Sequence, residues 1–142
     1  MTAFTETVVI RNRLTELPTV RAAVARAVSA GRFPERYLNR LQIAVDEAVT
    51  NIIEHGYESR SEGDSAITLN FTVDADAFKI DILDEGFRFD PRKLDDVDIA
   101  KHVAAGHTGG LGIFLMRKIM DVVEYQYETG RHNRLTLVKR SG

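Results

Sequence analysis

The sequence predicts an α+β domain, a two-layer sandwich in which helices cover one face of a mostly antiparallel sheet. Two observations carry this reading. The periodic segments run strand, helix, helix, strand, strand, long loop, helix, strand, strand, which lacks the regular strand–helix–strand alternation that a doubly wound parallel sheet needs. The 142 residues, 44% hydrophobic and 28% charged, also suit one compact domain over 1–142, with enough apolar side chains for a core of its own. There is no internal repeat, low-complexity tract or Pro/Ser-rich linker to divide it.

Taken in order, Thr5 to Ile10 is short and β-branched, which predicts a strand. From Pro18, suited to a helical first turn, Val20, Ala23, Val24, Ala27 and Val28 recur at helical spacing until Gly31 stops them. A second helix is expected from Pro34 to about His55, with Leu38, Leu41, Val45, Ala48 and Ile52 stepping by three or four, and Gly56 ending it. Ile67 to Val73 alternates apolar residues against Thr and Asn, and Phe78 to Leu83 alternates less strictly; both predict strands. Residues from about 85 to 109 break every periodicity, and a loop of that length in a compact domain points to a functional lid. Helical spacing resumes over Gly110 to Met120, and Val122 to Tyr127 with Leu135 to Val138 close the chain as a strand pair around Gly130.

Composition narrows the function. With no cysteine, disulfide frameworks, thiolate zinc sites and cysteine nucleophiles are excluded. A net charge of -2 gives no overall attraction to a polyphosphate backbone, so direct DNA binding is not expected. No basic segment followed by an apolar run opens the chain, and no apolar run approaches the roughly 20 residues that span a bilayer, so a cytoplasmic protein without membrane attachment is expected.

Three features bear chemistry. On the second helix Glu47 and Asn51 are one turn apart, about 40° apart in projection, on a face well away from the core stripe. Such a pair, taken alone, is most simply an ordinary helix-surface hydrogen bond; the sharper reading is a metal-phosphate site, with Asn51 giving a neutral oxygen to Mg²⁺ and Glu47 accepting a proton from an attacking hydroxyl. The second is Asp84-Glu85-Gly86-Phe87-Arg88-Phe89-Asp90-Pro91. Asp84 at a strand end can accept a hydrogen bond from an exocyclic amine, and Gly86 lets the backbone close on a flat ligand, though the same residues also make tight turns. The third is Gly109-Gly110-Leu111-Gly112, where glycines at a helix start let phosphate oxygens reach unpaired N–H groups, or give a flexible helix entry. His102 and His107 lie in the loop without the spacing of a metal site.

The three features in this order, with Asp46-Glu47-Ala48-Val49-Thr50-Asn51 and His55-Gly56-Tyr57 as the most specific phrases, resemble the Bergerat-fold ATPases, the histidine-kinase-like superfamily shared by gyrase-type topoisomerases, chaperones and mismatch-repair ATPases. Within it the chain is most similar to the anti-sigma factor serine/threonine kinases that work by partner switching. The resemblance covers nearly the whole chain. It implies ATP and Mg²⁺ as cofactors, Glu47 as general base, Asn51 as metal ligand, Asp84 as acceptor of the adenine amine and Gly86 as a wall of the adenine pocket. Gly109, Gly110 and Gly112 would hold the phosphates, and Arg21 would touch a protein partner. The partners it implies are an RNA polymerase sigma factor and a small anti-sigma factor antagonist phosphorylated on serine or threonine, with the kinase a homodimer.

The chain departs from the family pattern at two places. Arg88 stands where glycine is usual, so either the pocket wall is altered or Arg88 reaches a phosphate. His132-Asn133 stand where Gly-Thr often precedes the last strand. The alternative to a kinase is a non-catalytic ATP-dependent adaptor of the same fold, against which Glu47 argues and for which Arg88 argues weakly. A two-component histidine kinase would need a phosphoacceptor histidine upstream, and the first of the four histidines is His55.

Overall fold

The computed structural model describes residues 2–56, 63–85, 109–127 and 132–142. The order is β1 (Phe4–Arg11), α1 (Leu17–Gly31), α2 (Leu38–Gly56), β2 (Ala66–Val73), β3 (Ala77–Asp84), α3 (Gly109–Ile119), β4 (Val122–Tyr127) and β5 (Asn133–Arg140). The five strands form one sheet in the order β1-β2-β3-β5-β4. Each neighbouring pair is antiparallel. The expected α+β architecture is therefore observed.

Strand alternation decides which way each strand faces. Ile67, Leu69, Phe71 and Val73 on β2 are buried with Phe78, Ile80 and Ile82 on β3 and Leu135 and Leu137 on β5. They share one core with Val20, Ala23, Val24, Ala27 and Val28 of α1 and Leu41, Val45, Ala48 and Ile52 of α2, the helical stripes expected from the sequence. Phe78 anchors its centre, edge-on to Phe71 with ring centroids 6.0 Å apart and 6.3 Å from Phe33. Fully burying a side chain of this size is worth roughly 1.5–3 kcal/mol. The other face is polar: Thr7 donates to Asn70 Oδ1, and Thr136 donates to Asp81.

Several boundaries differ from expectation, each for a local reason. Pro34 does not start α2; it precedes a single 3₁₀ turn, Glu35–Tyr37, which hands over to α2 at Leu38. β3 runs one residue further than the apolar pattern, so Asp84 is its last residue and pairs with Asn133 of β5. β5 likewise begins at Asn133 rather than Leu135. Ahead of β4, Asp121 accepts a 2.6 Å hydrogen bond from the Arg140 backbone N–H. That bond, aided by the Lys139 charge, holds the Asp121 carboxyl below its ordinary value.

Gly31 ends α1, but the left-handed residue that terminates the helix is Arg32, with φ 59° and ψ 30°. Gly31 matters for contact instead. A Cβ there would meet Val73 Cγ1 at 2.6 Å and the Val73 carbonyl oxygen at 2.7 Å, and a paired strand carbonyl has little room to yield. Gly31→Ala is expected to cost about 1–3 kcal/mol as overpacking, read as a lower midpoint in urea without a change in slope.

Candidate functional site

The inward faces of β3 and β5 end in polar residues at the same end of the sheet. Asp84 continues the buried series Phe78, Ile80, Ile82, and Asn133 precedes Leu135 and Leu137 in the same phase. Because the two are register partners, their side chains meet: Asn133 Nδ2 donates to Asp84 Oδ1 at 3.0 Å. Asn133 Oδ1 in turn accepts from the Tyr125 hydroxyl at 2.9 Å. Asp84 is 5% exposed, Asn133 2% and Tyr125 8%, so the three form a buried polar chain across β3, β5 and β4. Tyr125 carries no motif in the sequence. Its only signal there is a tyrosine in the inward phase of β4, whose hydroxyl needs a partner once buried.

On α2, Asn51 is 3% exposed, although it lies away from the stripe that faces the sheet. The projection counts only the stripe facing the sheet, whereas α3 packs along α2 as well. Asn51 Nδ2 donates to the Glu47 carbonyl oxygen at 2.7 Å. The link joins Asn51 to the Glu47 backbone, so it is not the side-chain pair of the simple surface reading. Asn51 Oδ1 is buried and has no hydrogen-bond partner among the described residues. A buried amide oxygen without a donor is costly, and a neutral oxygen in that state is a fitting ligand for a hard cation. Burial raises the Glu47 carboxyl above its ordinary 4.5, and the neighbouring Asp46 and Glu54 charges add to the rise. A carboxylate so placed holds a proton more readily than a solvated one, and a nearby cation relieves the repulsion.

Arg21 of α1 reaches across to α2 and pairs with Asp46 through Nε, beside Glu47 in sequence. Its side chain is 50% exposed, so an ion pair there contributes little to stability, and its guanidinium remains accessible from outside. Gln42 donates to the Arg21 carbonyl oxygen, which fixes the backbone on which the arginine stands.

Gly109, Gly110 and Gly112 lie in the first turn of α3, which has no acidic residue there and carries Arg117 and Lys118 in its last turn. The positive end of the helix dipole is thus uncompensated by a carboxylate of its own helix. Gly86 and Arg88, and the lid expected over about 85–109 apart from its end residues, lie outside the described residues. His132 precedes β5, and of the His132-Asn133 pair it is Asn133 that joins Asp84.

The model of the histidine kinase-like ATPase domain family matches residues 10–139. The chain belongs to this family. Among histidine kinase-like ATPases it is similar to the RsbW serine-protein kinase of Bacillus pumilus, at 32% identity over 78% of this chain and 71% of the relative. The RsbW of Listeria monocytogenes strain EGD-e is 28% identical over the same shares. Within the family the chain is therefore of the RsbW type. A crystal structure of RsbU and RsbW domains from Mycobacterium tuberculosis superposes with TM-score 0.62 over 96% of this chain at 14% identity, and this ATPase domain spans 32% of that longer chain. A histidine kinase domain from Erythrobacter litoralis superposes with TM-score 0.54 over 90% of this chain at 12% identity. Both share the fold. Among the described residues no helix is long and apolar enough to cross a membrane.

Proposed function

We propose that this chain is an ATP-dependent serine/threonine protein kinase that also sequesters an RNA polymerase sigma factor and phosphorylates a small antagonist of that sequestration. The observation that carries the reading is the buried Asn51 oxygen, without a hydrogen-bond partner among the described residues, one turn from Glu47, in a chain of the RsbW type.

Asn51 Oδ1 is the group that would hold Mg²⁺, and the metal, when bound, neutralises phosphate charge and orients the triphosphate. Asp84 accepts a hydrogen bond from the adenine 6-amino group. Gly86 shapes the pocket beside it, and the α3 N-terminus with Gly109, Gly110 and Gly112 receives phosphate oxygens. Glu47 takes the proton from the acceptor serine or threonine hydroxyl as that oxygen bonds to the γ-phosphorus and the bond from that phosphorus to the β–γ bridging oxygen breaks, releasing ADP. Retention of Glu47 favours this over an adaptor without catalysis.

Arg21 supplies the partner surface. Its five donors suit an acidic or carbonyl-rich partner, which would have to take the guanidinium from Asp46. A homodimer in the cytoplasm, with sigma factor and antagonist competing for overlapping surface, completes the reading.

Calorimetric titration tests the nucleotide site. Wild type should bind ATP in the presence of Mg²⁺, and Asp84→Asn, which sets an amide against the adenine amine, should weaken binding at least about tenfold, or about 1.4 kcal/mol. Absence of ATP binding by the wild type would overturn the proposal.

A further inference from the structure

We propose that Asn133 and Tyr125 are positioning residues that aim the Asp84 carboxylate and so set the preference for a purine bearing a 6-amino group over one bearing a 6-oxo group. The inference rests on the reading of Asp84 as the adenine acceptor and goes beyond it, since neither residue touches the nucleotide in this account.

Hydrogen-bond sense fixes how the three groups are turned. An ionised carboxylate only accepts, so the group that Asn133 turns toward Asp84 must be its NH₂. The amide oxygen then points away, to where the Tyr125 hydroxyl donates to it. Each member fixes the next: the hydroxyl sets the amide flip, and the amide holds Asp84 Oδ1 at 3.0 Å. All three groups are buried on the helical side of the sheet, where low dielectric strengthens each bond and makes a lost partner expensive. The strands add rigidity, because Asp84 and Asn133 face each other across the β3–β5 ladder and Tyr125 is held one strand further out on β4.

A carboxylate with a fixed plane discriminates better than one free to turn. Facing adenine it meets an N–H donor. Facing hypoxanthine it meets a carbonyl oxygen, and two acceptors opposed in a buried site repel. A carboxylate that can rotate away escapes much of that repulsion, so loosening the chain should erode selectivity more than affinity for the correct base.

The test uses the intact chain and compares affinities for ADP and IDP in the presence of Mg²⁺ by calorimetry, with thermal melts alongside. Asn133→Leu should lower the ADP-to-IDP affinity ratio about tenfold, the scale of a lost hydrogen bond to a charged group. Tyr125→Phe keeps the ring packing, removes only the hydroxyl, and should lower the ratio by about threefold, since its effect is indirect. Added to Asn133→Leu, it should lower the ratio no further, because Tyr125 acts through Asn133. Variants that melt earlier but keep the wild-type ratio, while Asp84→Asn lowers it, would show a structural role only and overturn the proposal. Additive effects of the two substitutions on the ratio would overturn it as well. If Asp84→Asn leaves the ratio unmoved, the adenine reading of Asp84 fails, and this inference with it.

Discussion

Glu47→Ala is expected to bind ATP with near wild-type affinity and to phosphorylate the antagonist protein roughly 10² to 10⁴ times more slowly, the usual share of general-base catalysis. The separation of binding from chemistry follows from placement. Glu47 is a partly buried side chain on α2, its carboxyl pushed above 4.5 by burial and by Asp46 and Glu54, which keeps a protonatable group at the place proposed for the acceptor hydroxyl. Removing it takes away no proposed contact to adenine or phosphate. The link to Asn51 uses the Glu47 backbone carbonyl, which alanine retains, so the amide proposed to bind the metal keeps its orientation. Single-turnover transfer from radiolabelled ATP measures the chemical step directly. A wild-type rate in the variant would leave Glu47 as a helix-surface acid and remove the base from the mechanism.

Much of this arrangement is legible in the sequence because it is local. The 3.6-residue stripes of α1 and α2 and the two-residue alternation of β2 and β3 reappear as the buried core, since both periods follow from backbone geometry alone. What was not legible depends on partners distant in the chain. Asn133 meets Asp84 across 49 positions and Arg21 meets Asp46 across 25; no spacing rule links such pairs. Projection of α2 likewise sets Asn51 apart from the core stripe without showing its burial, because a helical wheel records a residue's angle and not the other helices that pack against it. The left-handed cap at Arg32 is hidden for the opposite reason: glycine is the usual choice there, but Gly31 is required one position earlier by the approach of Val73.

Asn51→Ala should abolish measurable Mg²⁺-dependent ATP binding and, with it, all phosphoryl transfer, a larger loss than that of the general base. Asn51 is the one protein ligand proposed for the metal, and its Oδ1 is a buried acceptor with no donor among the described residues. A hard cation with few protein ligands relies on each to fix the bound phosphates, because waters alone leave the triphosphate free to shift. The ligand-free protein should lose less stability than in an ordinary core truncation. Alanine removes an amide oxygen whose desolvation is uncompensated, which offsets part of the cost of the lost packing and of the Nδ2 bond to the Glu47 carbonyl. The expected pattern is therefore near-normal thermal stability without nucleotide, combined with loss of the stabilisation that Mg²⁺ and ATP together confer on the wild type. Melting curves with ATP and Mg²⁺, with ATP and a chelator, and without ligand separate these contributions. A variant still stabilised by Mg²⁺ and ATP as much as the wild type would place the metal on other residues.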